Sequence, residues 1–289
     1  MKRKRSMLML AAVLVISLGL AACEKKENPK GTPTPTEAPT AAPQGTEEPG
    51  TDANEPEGEE PVQEEETAGN KVYVDFTFDD VEDGADVPDV ASEGAGFMVV
   101  KDEKGNGWAV SKNPEDWAAI YFGTPDETGT EVYLKDFCIE TKVFLPTENK
   151  GLSNDGGVPM FVSAEGRYDA ALAWGAEVST VNLWKAGNTD GGPIASNNKN
   201  EFPDRGWVAD FSLESGKEYV YTIIGRYRED EDANQYVTLS MFIDDKLVLE
   251  HEVPYWGGGF GLRGWQSDIR YDYIKVSDVP AVSPDGIAR

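Results

Sequence analysis

The sequence predicts an all-β fold of the sandwich or jelly-roll class, and three observations predict it. Short runs of alternating apolar and polar residues recur from residue 71 to residue 278, and turn residues separate them. Residues 236–243 and 246–253 are two such runs, joined by Asp244 and Asp245, which suit a tight hairpin. No long window shows a helical period. Many short strands at such spacing are typical of two packed antiparallel sheets.

The first 23 residues have the features of a targeting segment. Residues 1–5 are basic, and the apolar run at residues 7–20 is too short for an ordinary membrane span. Small residues then precede Cys23, and the junction Leu-Ala-Ala-Cys resembles a bacterial lipobox. That resemblance implies a lipoprotein signal peptide over residues 1–23, with lipidated Cys23 anchoring the mature chain at the extracellular face of the bacterial cell membrane. A cleaved signal with an incidental cysteine is the alternative.

Residues 24–70 are predicted to be a disordered linker. Residues 32–43 are rich in Pro and Thr, which favours a stiff polyproline-like chain. Between residues 31 and 70 the sequence has eleven carboxylates and no Lys or Arg. Such a segment cannot bury enough apolar surface to offset its ordering entropy. We interpret it as a spacer between the membrane and the folded domain, with an acidic binding tail as the alternative.

The folded domain is predicted over residues 71–279, and residues 280–289 form a C-terminal tail. From residue 71 onward the chain has 19 basic and 40 acidic residues, a net charge of −21. This charge disfavours nucleic acid and anionic lipid as partners, and it is compatible with neutral sugars and bound divalent cations. Cys138 is the one cysteine in this part, so no disulfide forms within it. We interpret Cys138 as a buried packing residue.

Thirteen strands are predicted in chain order from the alternation of apolar and polar residues. They cover residues 71–78, 97–100, 108–110, 118–122, 137–145, 158–164, 170–174, 178–185, 219–228, 236–243, 246–253, 260–266 and 269–276. Two segments between them, residues 149–157 and 186–206, are rich in Asn, Asp and Gly, and we predict them to be functional or mobile loops.

The last four strands resemble a known family. A hydrophobic strand, Asp-Asp-Lys, a second hydrophobic strand, Gly-Phe-Gly-Leu-Arg at residues 259–263 and Tyr-Asp-Tyr-Ile-Lys-Val at residues 271–276 follow one another. This order resembles the C-terminal half of concanavalin A-like, laminin G-like jelly rolls. It is most similar to the bacterial branch that contains sugar-binding modules and the 3-keto-disaccharide hydrolase family. The resemblance extends over residues 71–278 and implies a concanavalin A-like jelly roll.

No catalytic constellation is recognisable in the sequence. Glycosidases of this fold place paired carboxylates on one face of a strand, at alternate positions. The nearest match is Glu250-His251-Glu252, which lacks the central Asp of that pattern, and Glu140 lies alone on its strand. His251 is the single histidine and is interpreted as a surface residue. The sequence therefore favours a binding protein over an enzyme, with a glycoside hydrolase of the 3-keto-disaccharide type as the alternative.

The tryptophans are the sequence feature that indicates carbohydrate binding. All seven lie beyond residue 71, and an indole offers a flat apolar plate that matches the C–H face of a sugar. Arg263 and Trp265 share one face of their strand, opposite Phe260 and Leu262, which we assign to the core. Trp256 and Trp184 are predicted to line the same carbohydrate site. Core packing is the alternative for about four of the seven tryptophans.

A structural Ca²⁺ ion is the one cofactor that the sequence suggests. Asp272 has the same strand parity as residues 274 and 276, which are expected to face the core, and an inward carboxylate must be paired or coordinated. Asp75, Asp79 and Asp80 lie near the first strand and would complete an all-oxygen site of the kind that Ca²⁺ prefers. An Asp272 that only accepts backbone N–H bonds is the alternative.

Together these features predict a monomeric, lipid-anchored, extracellular protein that binds an oligo- or polysaccharide through a concanavalin A-like β-sandwich. A glycoside hydrolase and a laminin G-like protein-binding adhesion module are the alternatives.

Replacing Cys23 with alanine tests the anchor. Because the acyl chains are attached to the cysteine sulfur and N-terminus, we expect Cys23→Ala to abolish lipidation and membrane retention. Metabolic labelling with an acyl analogue, followed by membrane fractionation, measures both effects. Label that persists on the alanine variant would contradict the lipobox assignment.

Overall fold

The computed structural model describes residues 71–147, 151–164, 166–175, 178–186, 192–198 and 208–279. The signal peptide, Cys23, the linker at 24–70, the tail at 280–289 and most of the segment 186–206 lie outside the described residues. The described part of the chain contains no helix with the length and apolar character needed to cross a membrane.

The described residues form fifteen strands. They are β1 Val72–Thr77, β2 Ala91–Gly94, β3 Phe97–Lys101, β4 Gly107–Ser111, β5 Trp117–Phe122, β6 Phe137–Leu145, β7 Asp155–Ser163, β8 Gly166–Trp174, β9 Ser179–Ala186, β10 Gly192–Ser196, β11 Lys217–Glu229, β12 Gln235–Ile243, β13 Lys246–Pro254, β14 Gly259–Trp265 and β15 Arg270–Ser277. Thirteen match the predicted strands. The prediction missed β2, which is exposed along its whole length, and β10, which lies in the predicted loop 186–206.

The strands build two antiparallel sheets. The eight-stranded sheet has the order β13-β12-β11-β6-β15-β4-β3, with β1 also paired to β15, and the seven-stranded sheet has the order β10-β9-β8-β7-β14-β5-β2. Sequence neighbours such as β5 and β6 lie in different sheets, which is the crossing pattern of a jelly roll. The predicted fold class, an all-β two-sheet sandwich of jelly-roll type, is confirmed.

The hairpin between β12 and β13 forms as predicted. Asp244 and Asp245 both have positive φ, 48° and 65°, as a two-residue turn of the type I′ class requires. The Asp244 carboxylate also accepts a hydrogen bond of 2.9 Å from the Val220 backbone N–H, which ties the turn to β11. A short aspartate side chain therefore both tolerates the strained backbone and secures the hairpin.

Alternation along each strand separates the core from the two outer faces. In β6 every second residue is buried, from Phe137 to Leu145, and the residues between are half-buried. Each fully buried large apolar side chain stabilises the fold by roughly 1.5–3 kcal/mol. Cys138 belongs to the outward set of β6, so it is partly buried rather than part of the core. Burial raises its pKa to about 11, which keeps the thiol protonated.

Tyr271 joins the two sheets through its hydroxyl group. It lies on β15, yet its Oη accepts a hydrogen bond of 2.7 Å from the Gly157 N–H on β7 and donates one of 2.6 Å to the Arg263 carbonyl on β14. Gly156 makes room for this ring, since a Cβ there would lie 3.1 Å from the Tyr271 hydroxyl and 2.6 Å from the Ile269 side chain. The ring is fully buried, so both backbone groups depend on it for pairing.

Removing this hydroxyl should destabilise the sandwich. Tyr271→Phe leaves a buried N–H and a buried carbonyl without their partner, and we expect a loss of about 1–3 kcal/mol in the free energy of unfolding. Tyr221→Phe is the matched control, because Tyr221 is equally buried and its hydroxyl contacts the Met241 sulfur at 3.5 Å. Urea denaturation measures both variants. Equal losses would show that the sheet-to-sheet hydrogen bonds are not the cause.

Candidate functional site

The outer face of the seven-stranded sheet has a floor of small residues. On β14, Phe260 and Leu262 point into the core, as predicted, and Arg263 and Trp265 point outward. The register places Ala119 of β5 and Gly157 of β7 on either side of Arg263, and Ala171 of β8 next to Gly157. Because these neighbours are so small, long side chains can lie flat over this part of the sheet. We call it the outer face below.

Arg263 lies at the centre of this floor between two carboxylates. Its Nη1 is 2.8 Å from Asp155 Oδ1, and its Nε is 3.5 Å from Asp169 Oδ2. The Arg263 side chain is 4% exposed, so this is a buried cluster of charges. Burial lowers the pKa of Arg263, but Asp155 and Asp169 outweigh it, and the net pKa is raised. Burial also raises the pKa of the Asp155 carboxyl, and the charge of Arg263 offsets only part of that rise.

Arg167 extends the cluster toward the edge of the sheet. Its Nε is 3.0 Å from Asp169 Oδ1, and its Nη1 is 3.8 Å from Glu93 Oε2. The Tyr121 hydroxyl donates to the same Glu93 oxygen at 2.5 Å. Burial and this hydrogen bond raise the pKa of Tyr121. The charged groups of β14, β7, β8 and β2 therefore form one connected network across the outer face.

Tryptophans cover and flank this network. The Trp117 ring centroid is 4.6 Å from the Arg167 guanidinium carbon and 5.6 Å from that of Arg263. Trp265 lies 6.3 Å from Trp117, centroid to centroid, and is 39% exposed. Trp184 of β9 is in register with Asp169 on the same face. The result is a solvent-facing indole at Trp265 beside a buried polar floor.

Buried side-chain polar atoms that lack a hydrogen bond are concentrated on this face. Within the described ranges, four buried side-chain N or O atoms have no hydrogen-bond partner: Trp117 Nε1, Trp184 Nε1, Arg263 Nε and Asp155 Oδ1. The approach of Arg263 gives Asp155 Oδ1 an ion pair without an aligned hydrogen bond. All four atoms belong to the outer face. Because a buried unsatisfied group costs about 1–3 kcal/mol, such a concentration indicates a place that another molecule completes.

The structure brings together three of the four predicted sugar-site residues. Arg263, Trp265 and Trp184 share the outer face. Trp256 does not belong to it, because its Nε1 donates to the Phe161 carbonyl at 2.8 Å and its ring stacks on Tyr168 at 4.5 Å. Trp256 therefore packs at the margin of the core, and the structure does not bring it together with the other three residues.

Sequence reasoning missed most of the network. Asp155, Glu93, Trp117 and Tyr121 were not assigned to the site, nor were Arg167 and Asp169, although a signal for them exists. In β8 the residues on one face read Arg167, Asp169, Ala171 and Ala173, and in β5 they read Trp117, Ala119 and Tyr121. Large polar or aromatic residues alternating with small ones, on the face opposite the core, indicate a recessed floor with functional walls. Asp155 was placed in the loop 149–157, but it begins β7.

The carboxylates proposed for Ca²⁺ do not gather. The register of β15 shifts between Tyr271 and Tyr273, so Tyr271 points inward and Asp272 is only partly buried. The inward orientation predicted for Asp272 was wrong, and its carboxylate pairs with Lys142 at 3.1 Å. Asp75, Asp79 and Asp80 are exposed. Among the residues with described positions, no group of three His, Cys, Asp or Glu side chains could hold a metal ion, so Ca²⁺ stays a prediction without a located site.

Comparison with known proteins gives similarities of structure only. No protein-family model matches the chain, and no curated protein matches it in sequence. Among solved structures, carbohydrate-binding module CBM66 from Bacillus subtilis is 15% identical, with a TM-score of 0.44, over 65% of this chain and 95% of that one. The carbohydrate esterase vb_24B_21 from the Shiga toxin-encoding bacteriophage phi24B is 9% identical, with a TM-score of 0.44, over 73% of this chain and 99% of that one. Alginate lyase Aly36B in complex with an alginate tetrasaccharide is 7% identical, with a TM-score of 0.45, over 71% of this chain and 96% of that one.

Because Arg263 is buried, we expect its substitution to lower the free energy of unfolding. Removing the cation leaves Asp155 without its partner and Asp169 with Arg167 alone, and breaking a buried pair in this way costs about 3–5 kcal/mol. We expect that loss in the free energy of unfolding of Arg263→Ala, and a loss below about 1 kcal/mol for Trp265→Ala. Thermal and urea unfolding of both variants measure the difference. A parent-like Arg263→Ala would show that water penetrates the cluster and solvates it.

Proposed function

We propose that the outer face of the seven-stranded sheet binds a neutral carbohydrate. The observation that carries this proposal is the set of four buried polar atoms that lack a hydrogen bond, two of them held in ion pairs, beside an exposed tryptophan. In this proposal the domain is a monomeric carbohydrate-binding module, and Cys23 anchors it at the extracellular face of the membrane.

The chemistry of the face suits a sugar. A pyranose or furanose ring has a C–H face that packs on an indole, and Trp265 offers an indole to solvent. Sugar hydroxyls both donate and accept hydrogen bonds, so one hydroxyl can donate to Asp155 Oδ1 while accepting from Arg263 Nε. The Nε1–H groups of Trp117 and Trp184 are two further donors for ring or hydroxyl oxygens.

The charges of the face favour neutral over anionic sugars. The network contains two guanidinium groups, Arg263 and Arg167, and three carboxylates, Asp155, Asp169 and Glu93. An added carboxylate or sulfate group would meet this negative balance, and the domain as a whole also repels anions. Specificity for a neutral glycan therefore follows from both the local and the overall charge.

One observation favours a second candidate, glycoside hydrolysis. Asp155 and Asp169 approach the same guanidinium, and burial raises the pKa of Asp155, as a general acid requires. A pair of carboxyl groups is the usual machinery of glycosidases. Chromatography of the bound glycan after long incubation separates the two functions, because only hydrolysis releases shorter sugars.

Trp265→Ala tests the proposed site. Loss of the stacking plate removes about 1–2 kcal/mol of binding free energy, so we expect affinity for neutral glycans to fall about 5- to 30-fold. A glycan array identifies the sugar series, and calorimetric titration measures the affinity of parent and variant. Tyr133→Ala is the matched control, because Tyr133 is 59% exposed but lies outside the outer face.

Three other outcomes contradict parts of the proposal. Parent-like affinity in Trp265→Ala would move the sugar site elsewhere on the domain. Equal losses in Trp265→Ala and Tyr133→Ala would indicate a nonspecific aromatic effect. A parent protein that binds no glycan, and instead captures a purified extracellular protein, would favour the adhesion alternative.

A further inference from the structure

We infer that the ligand is an oligosaccharide of three or more linked units that runs along the strands, from Trp265 to a depression at the β7–β8 hairpin. This inference rests on the proposed function and adds a second binding region to it. It identifies the ligand as a chain rather than a single sugar.

The depression is a built feature at one end of the outer face. Its volume is about 350 Å³, and Glu93, Ser163, Ala164, Gly166, Arg167 and Ala186 are among the residues that line it. This volume falls within the range of roughly 300–1,000 Å³ that is usual for small-molecule sites. Among the described lining residues, Ser163, Ala164, Gly166 and Ala186 are small, so they leave space for a ligand group beside Val162, Arg167 and Glu93.

The depression is continuous with the Arg263 cluster. Arg167 lines the depression and also contacts Asp169 at 3.0 Å and the Trp117 ring at 4.6 Å. Glu93 lines it as well and accepts the hydrogen bond from Tyr121. A molecule that lies over Trp117 and extends past Arg167 therefore reaches the depression through a residue that the two regions share.

The length of this path exceeds one sugar ring. Trp265 is in register with Asp155, and Asp155 is in register with Ala173 on β8. Gly166, which lines the depression, lies seven residues from Ala173 along the same strand, which corresponds to about 23 Å at roughly 3.3 Å per residue. The Arg167 side chain reaches back to the Trp117 ring, so it lies along the path and does not mark its end. A single ring cannot contact both Trp265 and the hairpin backbone at Gly166, whereas a chain of three or more units can.

The two ends use different chemistry. The Trp265 end offers an exposed indole for stacking. No aromatic side chain is among the described residues that line the depression. Its charged groups, Arg167 and Glu93, offer a hydrogen-bond donor and an acceptor to the hydroxyl groups of a sugar. The hairpin end therefore contributes hydrogen bonds that depend on which hydroxyls the distal sugar carries, and it contributes nothing to a monosaccharide stacked on Trp265.

A length series with a variant that fills the depression tests this inference. The probes are xylo-, cello-, laminari- and manno-oligosaccharides of one to four units, titrated by calorimetry. In the parent protein we expect affinity to rise at least 10-fold from the monosaccharide to the trisaccharide of the series that binds. Ala186→Leu fills the depression, so it should reduce trisaccharide affinity at least 5-fold and leave monosaccharide affinity unchanged. Ala186→Ser is the matched control, because it nearly keeps the volume of the side chain.

A second variant tests the inference if Ala186→Leu fails to fold. Ala164→Leu narrows the depression from the hairpin and leaves the charged network of the outer face unchanged, and we expect it to reduce trisaccharide affinity while leaving monosaccharide affinity unchanged. The inference would be overturned if the parent bound one sugar unit and three units with equal affinity, or if a folded Ala186→Leu kept full trisaccharide affinity. The proposed function would still hold in either case, provided that binding depended on Trp265. Absence of binding by every series would overturn the proposed function and this extension together.

Discussion

The hydroxyl group of Tyr271 fixes how the two sheets of this sandwich face each other. Apolar packing between sheets is non-directional, so it sets their separation more firmly than their relative alignment. The phenol adds direction, because it bonds at once to the backbone of Gly157 on β7 and to that of Arg263 on β14. These are neighbouring strands in the centre of the seven-stranded sheet. The residue that aligns the sheets therefore also positions the backbone from which the Arg263 side chain extends.

The same constraint explains the irregularity of β15. A regular strand would place Asp272 in the core, together with Ile274 and Val276. The register shift between Tyr271 and Tyr273 turns Tyr271 inward instead and moves Asp272 toward Lys142. A β-bulge of this kind reorients one side chain at the cost of local pairing. The sandwich thereby gains a buried hydrogen-bonding group beneath the candidate site and avoids a buried carboxylate.

The positions of the strands and of the hairpin can be predicted from local sequence. The composition of the site depends on which strands pair and in which register. Alternation locates thirteen of the fifteen described strands, and the Asp-Asp turn locates the β12–β13 hairpin, because both signals act over a few residues. Strand β2 gives no such signal, since none of its side chains is buried. Strand parity also places Arg263 and Trp265 on one face. Asp155 and Asp169 lie on different strands, and only the pairing of β7 with β8 and β14 brings them to one guanidinium. A search for carboxylates at alternate positions of one strand cannot find such a pair.

Stability does not account for the Arg263 cluster. Burying charges costs several kcal/mol per ion, and apolar replacements of similar volume are often neutral or stabilising. The cluster also leaves polar atoms without partners, which adds to its cost. A ligand that supplies those partners recovers that cost on binding. Burial raises the pKa of the Asp155 carboxyl, and the Arg263 cation 2.8 Å away offsets only part of that rise, so the pKa of Asp155 does not itself argue against hydrolysis. However, Arg263 occupies the space between the two carboxyl groups, where a scissile bond or an attacking water would have to lie. The arrangement therefore suits the recognition of hydroxyl groups better than the cleavage of a glycosidic bond.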